Sequence, residues 1–258
     1  MTGMEIGIIG GTRGMGHWFA DYLKNQGYKV NVAGRTTGMT MTEMAASCQV
    51  VVVSVPISVT VEIIEEIGPL LPAASLLMDL TSLKTASVAA MVESSVAAVI
   101  GCHPLFGPQI SSLKNQHVVL CPARPGKWLA WLKESLEKGG ALLVETTPEK
   151  HDELMSVVQG LNHFNTVMMG LALSKIAAPI AQLAPFTTPL FVDKVRVVEK
   201  VFAENPQLYA DIICNNKMMT DIVPIYEQIV AEIKSFVFRG DAEGLAQVLR
   251  QNADRLWP

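Results

Sequence analysis

From residue 5 to residue 144 the chain repeats one pattern: a short, nearly continuous apolar run rich in Val and Ile, then an amphipathic stretch of helical period. Runs of this kind suit a sheet buried on both faces, because neither face has to meet water. The pattern predicts strands at 5–9, 30–33, 50–55, 76–80, 96–101, 117–121 and 141–144, with helices at 15–25, 59–67, 87–92 and 127–138 between them. Repeated strand, helix, strand units specify an α/β fold with a doubly wound parallel sheet. Pro56, Pro72, Pro104 and Pro122 fall at the edges of these elements, where a missing donor is tolerated. After Thr147-Pro148 no convincing strand appears, and apolar residues recur at spacings of three and four to the end. The expected organisation is therefore a sheet domain over 1–147 and an all-helical domain over 148–258. Pro148, Pro179, Pro189, Pro206 and Pro224 are expected at helix starts or kinks, and Gly240-Asp241 before a last helix.

The first strand runs into Ile8-Ile9-Gly10-Gly11-Thr12-Arg13-Gly14-Met15-Gly16 and so into the first helix. Glycines at such a junction let the backbone turn tightly and approach a pyrophosphate, whose charge is met by free N–H groups and the helix dipole. In the GxGxxG frame the positions are Gly11, Arg13 and Gly16, so an arginine stands where the middle glycine is usual. About 20 residues further on, an NAD site normally carries an acid for the ribose hydroxyls. Here the sequence is Gly34-Arg35-Thr36-Thr37. A guanidinium with neighbouring hydroxyls suits a 2′-phosphate, so Arg35 and Thr36 favour NADP, with NAD as the weaker option.

Two polar segments fall at the expected carboxyl ends of strands, where open α/β sheets gather their ligands. These are Asp79-Leu80-Thr81-Ser82-Leu83-Lys84 and Gly101-Cys102-His103-Pro104-Leu105-Phe106-Gly107-Pro108. A neutral imidazole at His103 can take a proton while hydride leaves a carbon.

GGTRGMG, DLTSLK and HPLFGP, then His151-Asp152-Glu153-Leu154-Met155 with Gln159, Leu161, His163 and Phe164, then the segment from Asn205 to Ile212, together resemble the prephenate dehydrogenase family of tyrosine biosynthesis. The resemblance implies a Rossmann domain, a helical domain that forms a homodimer, and no attached chorismate mutase domain. It implies oxidative decarboxylation of prephenate, with His103 as base and Ser82 bonding near the substrate hydroxyl. It also implies that His163 reaches the substrate from the long helix. Lys84 is read as support for its loop and His151 with Asp152 as a structural pair. The resemblance also implies a basic residue for a substrate carboxylate on the helix after Thr188-Pro189-Leu190-Phe191, where this chain offers Arg196 and Lys200, four apart on one helix face. Arg196 is preferred because a planar fork matches a carboxylate. Competing readings are an arogenate dehydrogenase, a β-hydroxyacid or imine reductase-like enzyme, and an NADP-sensing protein without turnover.

Composition limits the partners. With Lys+Arg 20 against Asp+Glu 24 there is no basic surplus for nucleic acid. The longest apolar stretch, 167–186, is interrupted by Lys175, so no membrane span is expected. Cysteines at 48, 102, 121 and 214 lack paired spacing, as in a reducing cytoplasm. The stretch from Leu161 to Leu183 is apolar on most sides, which predicts a buried helix or one covered by a second subunit.

Overall fold

The computed structural model describes residues 3–34, 37–176 and 179–257. Seven strands form one sheet: β1 (Glu5–Ile9), β2 (Lys29–Ala33), β3 (Val50–Val53), β4 (Leu76–Asp79), β5 (Ala98–Pro104), β6 (His117–Arg124) and β7 (Leu142–Glu145). Their order is β2-β1-β3-β4-β5-β6-β7. All neighbours are parallel except β5 and β6, which run antiparallel with His103 opposite Val119. That reversal departs from the expected all-parallel sheet. Its cause is local: residues 105–116, which join the two strands, contain no helix to carry the chain back across the sheet.

Helices α1 (Gly14–Asn25), α2 (Met41–Ser47), α3 (Ile57–Ile67), α4 (Thr85–Ser94) and α5 (Trp128–Lys138) cover the sheet. Alternate strand residues serve opposite faces. Ile6, Ile8, Val50 and Val52 meet Phe19 and Leu23 of α1 and Leu132 and Leu136 of α5. Ile9, Val51 and Val53 meet Met44 of α2, Ile64 and Ile67 of α3, and Met91 of α4. The α2 helix was not expected; it is short, and its start is set by a reciprocal capping box between Thr40 and Glu43 rather than by a long apolar period.

Five helices follow: α6 (Pro148–Met155), α7 (Asn162–Lys175), α8 (Ile180–Leu183), α9 (Pro189–Glu199) and α10 (Pro206–Asn215). Proline opens α6, α9 and α10 at the first turn, where no donor is lost. Two wide π-turns interrupt the run, Ser156–Leu161 between α6 and α7 and Lys200–Glu204 after α9. These helices pack with the sheet layer, α6 on α4 and α10 on α3, and the compact unit they share ends at Asn216. Within it α7 buries only Gly170, and Met168 and Leu171 stay exposed, so this unit by itself does not cover the apolar face expected to be buried or covered by a second subunit.

A second unit, Lys217–Pro258, holds α11 (Met219–Arg239) and α12 (Ala242–Leu256). Gly240 adopts a left-handed conformation and Asp241 caps α12 through the Gly244 N–H, which produces the break expected at that pair. Ile225, Ile229, Ile233 and Val237 form an exposed apolar stripe along α11. Among the described residues no single helix is long and apolar enough to cross a membrane.

Candidate active site

The glycine turn is built for an anion. Gly10 sits at φ 83°, and a Cβ there would lie 2.1 Å from the Ser54 carbonyl oxygen, so the turn admits no side chain. Gly14, at φ 59°, faces open space. Thr12 and Arg13 are exposed, Met15 packs on the core, and Gly11 and Gly16 are buried. Arg13 precedes α1 with extended backbone, makes no side-chain cap, and no acid occupies the first turn. The helix N-terminus is thus free of protein acceptors, and its N–H groups and dipole fit a pyrophosphate. Arg35 and Thr36, the residues expected at a 2′-phosphate, lie outside the described residues.

The second centre is a buried polar chain. His103 lies within β5 rather than in the loop beyond it, and is 3% exposed. Its Nδ1 is 2.9 Å from His151 Nε2 on α6. His151 Nδ1 is in turn 2.7 Å from Asp152 Oδ1. The carboxylate of Asp152 also accepts from the backbone N–H groups of Lys84 at 2.8 Å and Thr85 at 2.9 Å, so it caps α4 from another helix. A carboxylate only accepts, so His151 carries its hydrogen on Nδ1. With both imidazoles neutral, His151 offers a bare Nε2, which His103 meets with Nδ1–H. The His103 Nε2 lone pair is left free as a base.

Electrostatics favour that state. Burial is the largest cause holding the His103 pKa well below the ordinary 6.5; positive charge at His151, when that ring is protonated, and at Lys84 acts in the same direction, and Asp152 opposes. Burial pushes the Asp152 carboxyl up, but hydrogen bonds from His151 and Thr85 and the two N–H groups outweigh it and bring the pKa to about 2. Asp152 therefore stays ionised and orients the chain without taking its proton.

Lys84 is fully buried, ion-paired with Asp79, and donates to the Cys102 carbonyl at 3.1 Å, which braces the strand one residue before His103. Ser82 is half-buried on the β4–α4 loop and makes no hydrogen bond among the described residues, so its hydroxyl is available to a ligand. Gln159, on the first π-turn, brings its Nε2 to 3.4 Å from His103 Nε2, and its buried Oε1 has no partner. The sequence reading gave neither the His151–Asp152 pair nor Gln159 a role at the base. The signal available was the adjacent His-Asp pair eight residues before a glutamine; what it lacked was any indication that β5 and this helix meet.

His163 on α7 is half-buried and meets Tyr209 of α10 edge to face at 4.8 Å between ring centres. Burial and the charge of Lys200 lower its pKa. Lys200, the first residue of the second π-turn, makes no ion pair among the described residues. Arg196 is highly exposed and bonded to Asp193 one turn back at 3.2 Å. The Lys200 N–H still bonds to the Arg196 carbonyl, so the two cations stand one helical turn apart, and the wide turn begins at Lys200.

Comparison with known proteins is consistent along the chain. Residues 22–145 match the family model for the prephenate dehydrogenase nucleotide-binding domain, and residues 147–251 that for the prephenate dehydrogenase dimerization domain. A probable arogenate/prephenate dehydrogenase of Methanocaldococcus jannaschii is 36% identical over 98% of this chain, and the T-protein of Haemophilus influenzae 34% over 97%. The chain spans 61% and 66% of the length of these two relatives. Among solved structures, prephenate dehydrogenase from A. aeolicus with hydroxyphenyl propionate and NAD+ superposes with a TM-score of 0.75 at 20% identity, covering 99% of this chain and 98% of that one. Synechocystis arogenate dehydrogenase gives 0.72 at 20% identity, covering 98% and 99%. At these identities the structural likeness carries the fold.

Proposed function

The chain belongs to the prephenate dehydrogenase family, and from that premise we propose that it catalyses the oxidative decarboxylation of prephenate to 4-hydroxyphenylpyruvate, with NADP as hydride acceptor. The observation that carries the reading is the buried His103–His151–Asp152 chain, which leaves one imidazole nitrogen bare on β5 of the same sheet whose β1 runs into the glycine turn. The glycine turn at Gly10–Gly16 would hold the pyrophosphate, and Arg35 and Thr36 the 2′-phosphate. A bound nicotinamide supplies an acceptor for the hydride that leaves substrate C4.

The chain's own residues then have defined tasks. His103 Nε2 takes the C4 hydroxyl proton as that carbon is oxidised. The resulting ring is a dienone whose C1 carboxylate is vinylogous to the new carbonyl, so carbon dioxide leaves and its electron pair moves through the ring to the C4 oxygen. That oxygen recovers the proton from His103, giving a phenol. Because the proton returns to the atom it left, the base requires no exit path to solvent, consistent with its burial. Ser82, adjacent on the β4–α4 loop, is the hydroxyl proposed to bond the substrate near C4. His163 and Lys200 are proposed to meet a substrate carboxylate, Lys200 in preference to Arg196, since it is Lys200 whose charge reaches His163.

Arogenate is the second reading, supported by the name of the M. jannaschii relative. The homodimer is supported by the dimerization-domain match, the uncovered α7 residues and the α11 stripe. Recording absorbance of the reduced cofactor with prephenate and with arogenate, each with NADP and NAD, tests the reading. NADP with prephenate is expected to give the highest kcat/KM, and Arg35→Ala to cost about 1–3 kcal/mol of NADP binding. Equal efficiency with both cofactors overturns the NADP assignment, and no oxidation of either acid overturns the function.

A further inference from the structure

The first π-turn holds a polar group that the scheme above leaves unused. Gln159 sits in Ser156–Leu161, and turns of this kind recur at functional sites because one added residue re-aims the side chains that follow. Its amide is fixed in orientation by the chain of tautomers: His103 Nε2 is bare and accepts, so the amide end facing it at 3.4 Å is the NH2 group. The contact is long for a hydrogen bond, leaving room for that donor to turn to a closer acceptor. The other end, Oε1, is buried and unpartnered. A buried acceptor without a donor is costly, which points to a donor supplied by a ligand.

We propose that Gln159 is a further substrate- and cofactor-contacting residue, donating from Nε2 to the oxygen under oxidation and accepting through Oε1 from the carboxamide N–H of the nicotinamide. This inference rests on the dehydrogenase reading. The oxygen that gives its proton to His103 Nε2 must lie within hydrogen-bond reach of that nitrogen, and the Gln159 amide already faces the same nitrogen. It is also the atom onto which decarboxylation drives an electron pair, so a fixed N–H there stabilises charge where it develops. Hydride transfer brings the ring carbon of nicotinamide that accepts it close to substrate C4. The carboxamide is attached to the adjacent ring carbon, which brings its N–H donors to the same place. One amide would thus register both reactants against the base.

The test uses the full-length chain with NADP bound and compares 4-hydroxyphenylpyruvate with phenylpyruvate, which lacks the ring hydroxyl, by calorimetric titration. The unmodified protein is expected to prefer the hydroxylated compound by about 10–100-fold. Gln159→Leu should reduce that preference by about tenfold while phenylpyruvate affinity stays within about twofold. A preference that survives intact in the variant overturns the contact to oxygen. The acetylpyridine analogue of NADP, which lacks the carboxamide N–H, should slow the unmodified enzyme more than Gln159→Leu; equal slowing overturns the contact to the cofactor. Gln159→Glu guards against a merely structural effect. A carboxylate beside His103 should move the acid limb of kcat/KM to higher pH, and an unmoved limb counts against placement at the base. If the unmodified protein oxidises neither prephenate nor arogenate and does not discriminate the hydroxyl, the dehydrogenase reading itself fails; turnover with an indifferent Gln159 variant sinks this inference alone.

Discussion

The two ends of the candidate site are made differently. At the base, His103 and His151 are almost wholly buried, and the two links joining them to Asp152 are 2.9 and 2.7 Å long. At the proposed carboxylate end, Arg196 and Lys200 are exposed, and the ion pair of Arg196 with Asp193 lies in solvent. Groups removed from water depend wholly on one another, since a broken partner leaves an unsatisfied buried atom. Exposed cations are solvated and interchangeable to a greater degree, and their pairs contribute little. The base should therefore respond steeply to single substitutions and the cation end gently.

The steepest response is expected at His103. Replacement by Asn removes the base, and kcat should fall by about 10²–10⁴ while the KM for NADP changes little. Steady-state rates with prephenate check this, and near-normal turnover would reduce His103 to a structural imidazole.

Asp152→Asn comes next and tests whether the chain acts as one unit. The amide leaves the side-chain shape almost unchanged but can donate to His151 and so reverse the tautomers, turning a hydrogen onto His103 Nε2. A loss of about 10²-fold in kcat is expected, smaller than for loss of the base itself. The same substitution has a stability signature. The folded pKa of about 2 lies below the ordinary 3.8, so ionised Asp152 stabilises the fold above about pH 4, and this contribution disappears as pH falls towards 2. Melting temperatures should separate the two proteins at neutral pH and converge in acid. Parallel curves across that range would show that the carboxylate charge has no part in it.

A third measurement concerns pH and activity. His103 is held neutral well below the usual histidine range. Its folded pKa is depressed, so the base stays unprotonated from neutral pH down past 6.5, and kcat/KM should be flat there with its acid limb displaced lower. An acid limb at or above 6.5 would show that burial does not hold His103 neutral in the enzyme that meets substrate.

The same contrast explains which parts were legible from sequence. The sheet was, because its five parallel pairings depend on apolar runs such as Val50–Val53 that have no other use, and the glycine turn was, because φ 83° at Gly10 with Ser54 close behind excludes other residues. His103 was visible through its Pro-Leu-Phe-Gly-Pro surroundings, although the strand continues through it. The link to His151 was not, because it joins residues 48 apart on a strand and a helix, and neither local period nor composition encodes that approach. The π-turns at Ser156 and Lys200 were also invisible, since each adds a residue per turn without a distinctive residue type. The antiparallel β6 follows from a missing crossover helix, and a loop of ordinary composition does not announce that absence.

The gentlest effects are expected at the cations, and here two variants must be compared. Lys200 carries a charge that lowers the His163 pKa, whereas Arg196 is engaged with Asp193 on the solvent side of α9. If Lys200 holds a substrate carboxylate, Lys200→Ala should raise the KM for prephenate by about tenfold, as loss of one charge-assisted hydrogen bond of roughly 1.5 kcal/mol would. An ammonium acts as a point charge, so Lys200→Arg should retain much of the affinity while altering its geometry. Arg196→Ala removes only an exposed pair and should change KM by less than about twofold. The cofactor KM, measured in all three, controls for misfolding. Reversal of the order, with Arg196 the sensitive residue, would mean that the guanidinium leaves Asp193 for the substrate on binding. The proposed cation would then move one turn back along α9, and the contrast between a rigid base and a pliable cation end would sharpen.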